Sequence, residues 1–151
     1  GRFHPGNGHL YLCGMSAWGT AQLHQPGGFY RIRKTDAPSH LPIELRVSEG
    51  EIEIEFSDPL APQSPDMLRD SIIARTWALK RSAEYGSNHY NKKQVEIASA
   101  TLSSHGKILR LKIPEIEPVW QMSIKYYLKG ANGEPVNGEI QNTIHEIKPR
   151  L

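Results

Sequence analysis

An all-β fold, two sheets packed face to face, is predicted by three observations. Apolar and polar residues alternate through successive segments from Pro42 to the C-terminus, beginning with Ile43, Leu45, Val47 and then Ile52, Ile54, Phe56. Neighbouring side chains on a strand point to opposite faces, so this pattern describes sheets with one dry face and one wet face. Turn-forming residues separate the segments at sandwich-like intervals, and the thirteen Gly and eleven Pro suit a fold with many turns. The length of 151 residues fits one domain with an appended segment, enough to bury a core without staples.

Residues 1–35 differ from the rest. Residues 10–13 and 29–34 read as two strands, separated by a polar, Gly-containing stretch that carries Trp18 and ends in Gln25-Pro26-Gly27-Gly28. Two strands with a long loop are too small to be stable alone, so they must pack on something else. Residues 36–41 contain Pro38 and read, up to Pro42, as a stiff linker. The domain of residues 42–151 then follows.

Within it, Ser48-Glu49-Gly50 separates the first two alternating strands, and Ser57-Asp58-Pro59 closes the second. Residues 60–69, with Pro62 and Pro65, form an irregular connection with a helical turn near 66–68. In 71–81, Leu68, Ile72 and Leu79 fit a helix while Ile73, Trp77 and Leu79 fit one face of a strand; the surrounding topology needs a strand. A loop through Tyr85-Gly86-Ser87 leads to a strand over 94–103, which Ser104-His105-Gly106 joins to a strand over 107–113, the clearest hairpin signal. Trp120, Met122, Ile124, Tyr126 and Leu128 alternate along the next strand, and Asn132-Gly133 and Asn137-Gly138 offer turns before a last strand over 139–147. Seven strands so connected predict an immunoglobulin-like β-sandwich. Ile52, Ile54, Phe56, Trp77, Leu109, Leu111, Met122, Ile124 and Tyr126 are expected inside.

Several function classes fall away on composition. Eighteen basic against sixteen acidic groups give a net charge of +2, without the concentrated cationic footprint that nucleic-acid binding needs. Cys13 is the single cysteine, which excludes an intramolecular disulfide, a paired-cysteine zinc site and covalent haem attachment. No stretch approaches the ~20 apolar residues of a membrane helix, so no membrane span is expected. The chain starts at Gly1 without a secretory pattern, as expected of a processed protein or a piece of a longer one.

Two stretches carry a resemblance. Ser57-Asp58-Pro59-Leu60, with the later His105 to Leu111 segment and Met122-Ser123-Ile124-Lys125-Tyr126, resembles bacterial immunoglobulin-like domains. Trp77-Ala78-Leu79-Lys80-Arg81-Ser82, Tyr85-Gly86-Ser87 and Thr143-Ile144 resemble the C-terminal region of large bacterial proteins with a glucose/sorbosone-dehydrogenase-like β-propeller, often with a c-type cytochrome domain. Phe3-His4-Pro5, Leu10-Tyr11 and the Gly27 to Arg33 segment look like the end of that propeller's last blade. The resemblance implies an extracytoplasmic setting, periplasmic or secreted, and an upstream propeller or cytochrome domain as partner. It carries over no catalytic site and no cofactor.

Three groups of residues are candidates for chemistry. His4, His9, Cys13, Met15 and His24 supply the imidazole, thiolate and thioether of a copper electron-transfer site, set against scattered imidazoles and a small buried cysteine. Glu51, Glu53 and Glu55 place three carboxylates on one strand face, short of the roughly six to eight oxygens calcium takes and better suited to a solvated outer face. Among the aromatics, Trp77, Trp120 and Tyr126 alternate as core residues do. Trp18, Tyr85, His89 and Tyr90 lie in loops and are the candidates for contact with a ligand or partner. With no His-Glu-x-x-His, Gly-x-Ser-x-Gly or phosphate loop, no catalysis is predicted. The sequence therefore reads as a non-catalytic structural or interaction module, with a carbohydrate-binding module and a small copper protein as the alternatives.

Overall fold

The computed structural model describes residues 1–15 and 27–149. It divides into two compact units, Gly1–Ala37 and Pro38–Leu151.

The first unit is an antiparallel sheet in chain order, β1 (Arg2–Phe3), β2 (Leu10–Met15) and β3 (Gly27–Ile32). A compact turn joins β1 to β2: the His4 N–H donates to the His9 carbonyl, the His4 carbonyl accepts from Gly8, and Gly8 takes a φ of 67°. Pairing of Leu12 with Tyr30 and of Phe3 with Leu10 puts Phe3, Leu10, Leu12, Tyr30 and Ile32 on one face. Gly28 leaves the room that the Tyr30 ring occupies. Phe3, at 72%, and Tyr30 and Ile32, each at 52%, stay exposed on this apolar face.

The second unit is a two-sheet sandwich. One sheet has the order β4 (Pro42–Ser48), β5 (Glu51–Phe56), β9 (Ile108–Lys112), β8 (Ser99–Leu102). The other has the order β11 (Pro135–Ile144), β10 (Val119–Lys129), β6 (Ile72–Ala78), β7 (Tyr90–Val95). In immunoglobulin lettering these are A-B-E-D and G-F-C with an added strand beside C, the constant-type arrangement extended at one edge. The expected all-β sandwich is thus observed. A parallel bridge from Ser48 to Lys148 ties the end of the first strand to the tail that follows the last.

The core follows the alternation. Ile52, Ile54, Phe56, Leu109, Leu111, Met122 and Ile124 are fully buried, and Tyr126 meets Phe56 edge to face at 5.5 Å. Desolvation in this setting raises the pKa of the Tyr126 phenol. A short helix, α1 (Pro65–Asp70), lies in the β5–β6 connection; the Ser64 hydroxyl caps it by accepting from the Met67 N–H, and Leu68 plugs the core. Residues 71–81 contain the strand expected there, not a helix.

Five local expectations are corrected. The extended run 94–103 is two strands, because the chain crosses from one sheet to the other at residues 96–98. Ala98 already donates to the Lys112 carbonyl of the opposite sheet, and Ile97 is buried at the crossing. This makes eight strands rather than seven. Trp77 is buried but stands one residue out of phase with Ile72 and Ala74, and it is not part of the core cluster. Trp120 is 62% exposed, since a bulge between Val119 and Met122 inserts a residue and turns the indole outward. Ile43, at the Pro42/Glu44 irregularity of β4, is likewise exposed. Asn137-Gly138 is not a turn but part of β11, which starts at Pro135 and ends at Ile144; Gly138 pairs with Tyr126, whose ring occupies the space a Cβ would need.

Residues 39–41, read as linker, are fastened to the sandwich. The Asp58 carboxylate accepts from the Ser39 and His40 N–H groups, and Ser57 exchanges bonds with Leu41. The N–H of Ser39 above all, then the Ser57 hydroxyl and the His40 N–H, hold Asp58 well below the usual carboxylate range. His40 takes a φ of 48°, and its buried ring sits where Gly130 leaves space. Pro59, Leu60 and Ala61 then bridge three loops: Leu60 donates to Gly106, Ala61 donates to Lys129, and the Pro59 carbonyl accepts from Ala131. The Ser57 to Leu60 stretch therefore works as a structural stitch.

Candidate functional site

The loop between β6 and β7, residues 79–89, sits at the end of the sandwich opposite the stitched loops, since β6 runs away from them and β7 returns. Its geometry is set locally. The Ser87 hydroxyl accepts from the Lys80 N–H at 2.9 Å and donates to the Asn88 carbonyl at 2.9 Å, while Gly86 takes a φ of 84° that L residues rarely adopt. Asn91, at a φ of 50°, accompanies the register shift between Thr76 and Ala78.

This loop gathers aromatic and cationic groups. The His89 imidazole stacks on Trp77, centroids 4.5 Å apart and planes 27° apart, which is how an out-of-phase indole is buried away from the core. Lys92 Nζ stands 5.6 Å from the Trp77 ring, and Lys80 Nζ stands 4.4 Å from the Tyr90 ring, both within cation–π reach. Tyr85 projects fully into solvent. A cavity of about 570 Å³ lies among Lys80, Ser82, Glu84, Tyr85, Ser87 and Tyr90.

Of the residues singled out in the sequence, Tyr85 and Tyr90 share this cavity and His89 covers Trp77 beside it. Trp18 lies outside the described residues. Sequence reasoning missed Lys80 and Lys92 as partners of the aromatics. The pairs Lys80-Arg81 and Lys92-Lys93, flanking an aromatic loop, were the available signal.

The other candidates are dispersed. His4 Nδ1 accepts from the Gly6 N–H, Cys13 is exposed on β2, and His24 lies outside the described residues. Among the described residues no three His, Cys, Asp or Glu side chains converge as metal ligands. The glutamate row on β5 is matched by cations of its neighbours: Glu53 pairs with Arg110 at 2.7 Å and Glu55 with Arg46 at 3.5 Å. These are cross-strand ion pairs of a wet sheet face. A smaller cavity of about 210 Å³ opens beside Thr76, Val95 and Met122 at the sheet crossing. There Lys93 meets Glu117 at 2.6 Å, a hydrogen bond that raises the lysine's pKa.

No described helix is long and apolar enough to cross a membrane. No family model and no curated protein matches the chain. Among solved structures it is similar to the surface layer protein SbsC, domains 1-6, at a TM-score of 0.47 and 11% identity. That likeness covers 66% of this chain and 12% of the length of the other.

Proposed function

We propose that this chain is a non-catalytic module of a larger extracytoplasmic, redox-linked protein, its first unit completing an upstream β-propeller and its sandwich presenting a contact surface. The observation that carries this reading is the three-stranded sheet of β1, β2 and β3 with Phe3, Tyr30 and Ile32 exposed on its apolar face. Propeller blades are four-stranded antiparallel sheets whose faces are covered by neighbouring blades, so the three described strands in chain order would take one more strand and two neighbours in such a blade. Exposed apolar surface of this kind drives association until it is covered. A preceding propeller or cytochrome domain is the partner that the resemblance implies.

The test compares the 151-residue chain with a version extended upstream into the preceding domain. Amides of Leu10–Met15 and Gly27–Ile32 should exchange quickly in the former and slowly in the latter, with no change in the sandwich. Equal protection in both, in a chain that stays monomeric and binds no hydrophobic dye, would sink the proposal.

Carbohydrate recognition is a second reading, favoured by one observation: a fully exposed Tyr85 at the rim of a polar cavity in the β6–β7 loop. An aromatic face with hydroxyl and amide groups around it is suited to a sugar ring.

A further inference from the structure

We infer that the free edge of β11 is a self-recognition surface: a second copy of this chain pairs with it antiparallel about a twofold axis at Ile140, joining two four-stranded sheets into one of eight. The inference stands on the sandwich alone.

The described edges of the sandwich are β4, β8, β7 and β11. An edge leaves one row of main-chain N–H and C=O groups unpaired, and proteins guard such rows with short strands, charge, proline or bulges. β8 has only four residues, and β7 carries Lys92, Lys93 and a register shift. β4 starts at Pro42, is irregular between Pro42 and Glu44, and carries Glu44 and Arg46. β11 is ten residues long, and among the described residues it pairs with β10 alone. The bulge in that pair puts its extra residue into β10, so β11 runs on unbroken. Its one charged residue, Glu139, is drawn back onto β10 by the Ser123 hydroxyl and Lys125. This edge is the unguarded one.

The sequence of β11 selects the occupant. Centred on Ile140, a twofold antiparallel pair sets Ile140 against itself, Val136 against Ile144, Gly138 against Asn142, Glu139 against Gln141 and Asn137 against Thr143. Large apolar residues of the inner face meet one another, and on the outer face each Glu139 meets a neutral amide. Centring one residue earlier would set Glu139 against itself and Val136 against Asn142; one later would set Ile140 against Asn142. A side chain fits the same register. Both carboxamide atoms of Asn142, on the inner face of β11, are buried without a hydrogen-bond partner, a costly state. The centred pair places Asn142 opposite Gly138 of the second copy, and the Tyr126 hydroxyl lies in the space that a Cβ on Gly138 would fill. The carboxamide then has a hydroxyl across the edge with which to bond.

The experiment is sedimentation equilibrium of the whole chain, of Gln141→Glu, of Gln141→Lys and of the double variant Glu139→Gln with Gln141→Glu, with melting temperatures as the check on folding. One strand pair makes a small interface, so the wild type should dimerise with a dissociation constant of about 1–100 μM. Gln141→Glu sets two carboxylate pairs across the axis and should weaken the dimer about tenfold; Gln141→Lys sets two ion pairs there and should tighten it, an effect that salt reduces. The double variant exchanges the two residues at the wild-type net charge and should restore the dimer. A chain still monomeric at about 1 mM overturns the proposal. Association indifferent to the charge at residue 141 overturns it as well, and its loss in Phe3→Ser would assign that association to the first unit.

Discussion

The two ends of the sandwich are built on opposite plans. At one end three connections are joined by main-chain hydrogen bonds through Pro59, Leu60 and Ala61, residues 39–41 are held there by Ser57 and Asp58, and Leu60 closes the core beneath them. At the other end the β6–β7 loop is tied only to itself, and no hydrogen bond of the described residues links it to another loop. The first end satisfies backbone polar groups where they are buried; the second leaves side chains free to meet something else. The contrast shows that loop length does not decide how a connection is held: the 57–71 connection is the longer of the two and carries the more hydrogen bonds to other loops.

Substitutions at the two ends should separate these roles, from the largest effect to the smallest. Leu60→Ala should destabilise by about 2–5 kcal/mol in denaturant melts, because it empties a filled site under the stitched loops. A loss as small as that of a surface change would mean the stitch does not depend on its plug. Gly130→Ala should follow at roughly 1–3 kcal/mol, since the new methyl collides with the His40 ring held beneath it. If His40→Ala in the same chain restores the melting temperature, that collision is the cause; no rescue would point to the Asn132 carboxamide, which the same methyl also meets.

Asp58→Asn sharpens the comparison through pH. The folded carboxyl titrates below its unfolded value, so its contribution is fully present above about pH 4 and is lost as pH falls toward the folded value. The variant should melt lower than wild type near neutral pH and show a shallower decline on acidification below about pH 4. Parallel curves over that window would remove Asp58 from the account. Smallest of all, Tyr85→Ala should change stability by no more than about 0.5 kcal/mol, as expected where a side chain touches solvent alone. A larger loss would place Tyr85 in the fold and not in the site.

Much of the fold was legible because burial on one face writes a period of two into the sequence, as in Ile52, Ile54 and Phe56. That period reports which way a side chain points; it does not report which strand lies alongside. Hence 94–103 read as one strand although its two halves pair in different sheets. One inserted residue also inverts the phase, which is why Trp120 read as core and lies outside. Gly138 illustrates a third limit, since a glycine that serves a neighbouring ring looks the same in sequence as one that serves a turn. At the candidate site Tyr85, His89 and Tyr90 stood out as aromatics in a loop, but Trp77 did not, because its cover comes from the loop and leaves no periodic trace.

The crossing at residues 96–98 has a consequence for how the sandwich comes apart. Three residues link a strand of one sheet to a strand of the other, with buried Ile97 between them, so neither sheet can fray along that edge without pulling on its counterpart. Opening should then be all or none: the Ala98 amide, bonded to Lys112, should exchange with solvent at the rate set by global unfolding, in step with the centres of β5 and β10. Faster exchange at Ala98 than at those centres would show that the sheets open separately. An edge that would otherwise be the weakest part of the domain becomes the place where its cooperativity is enforced.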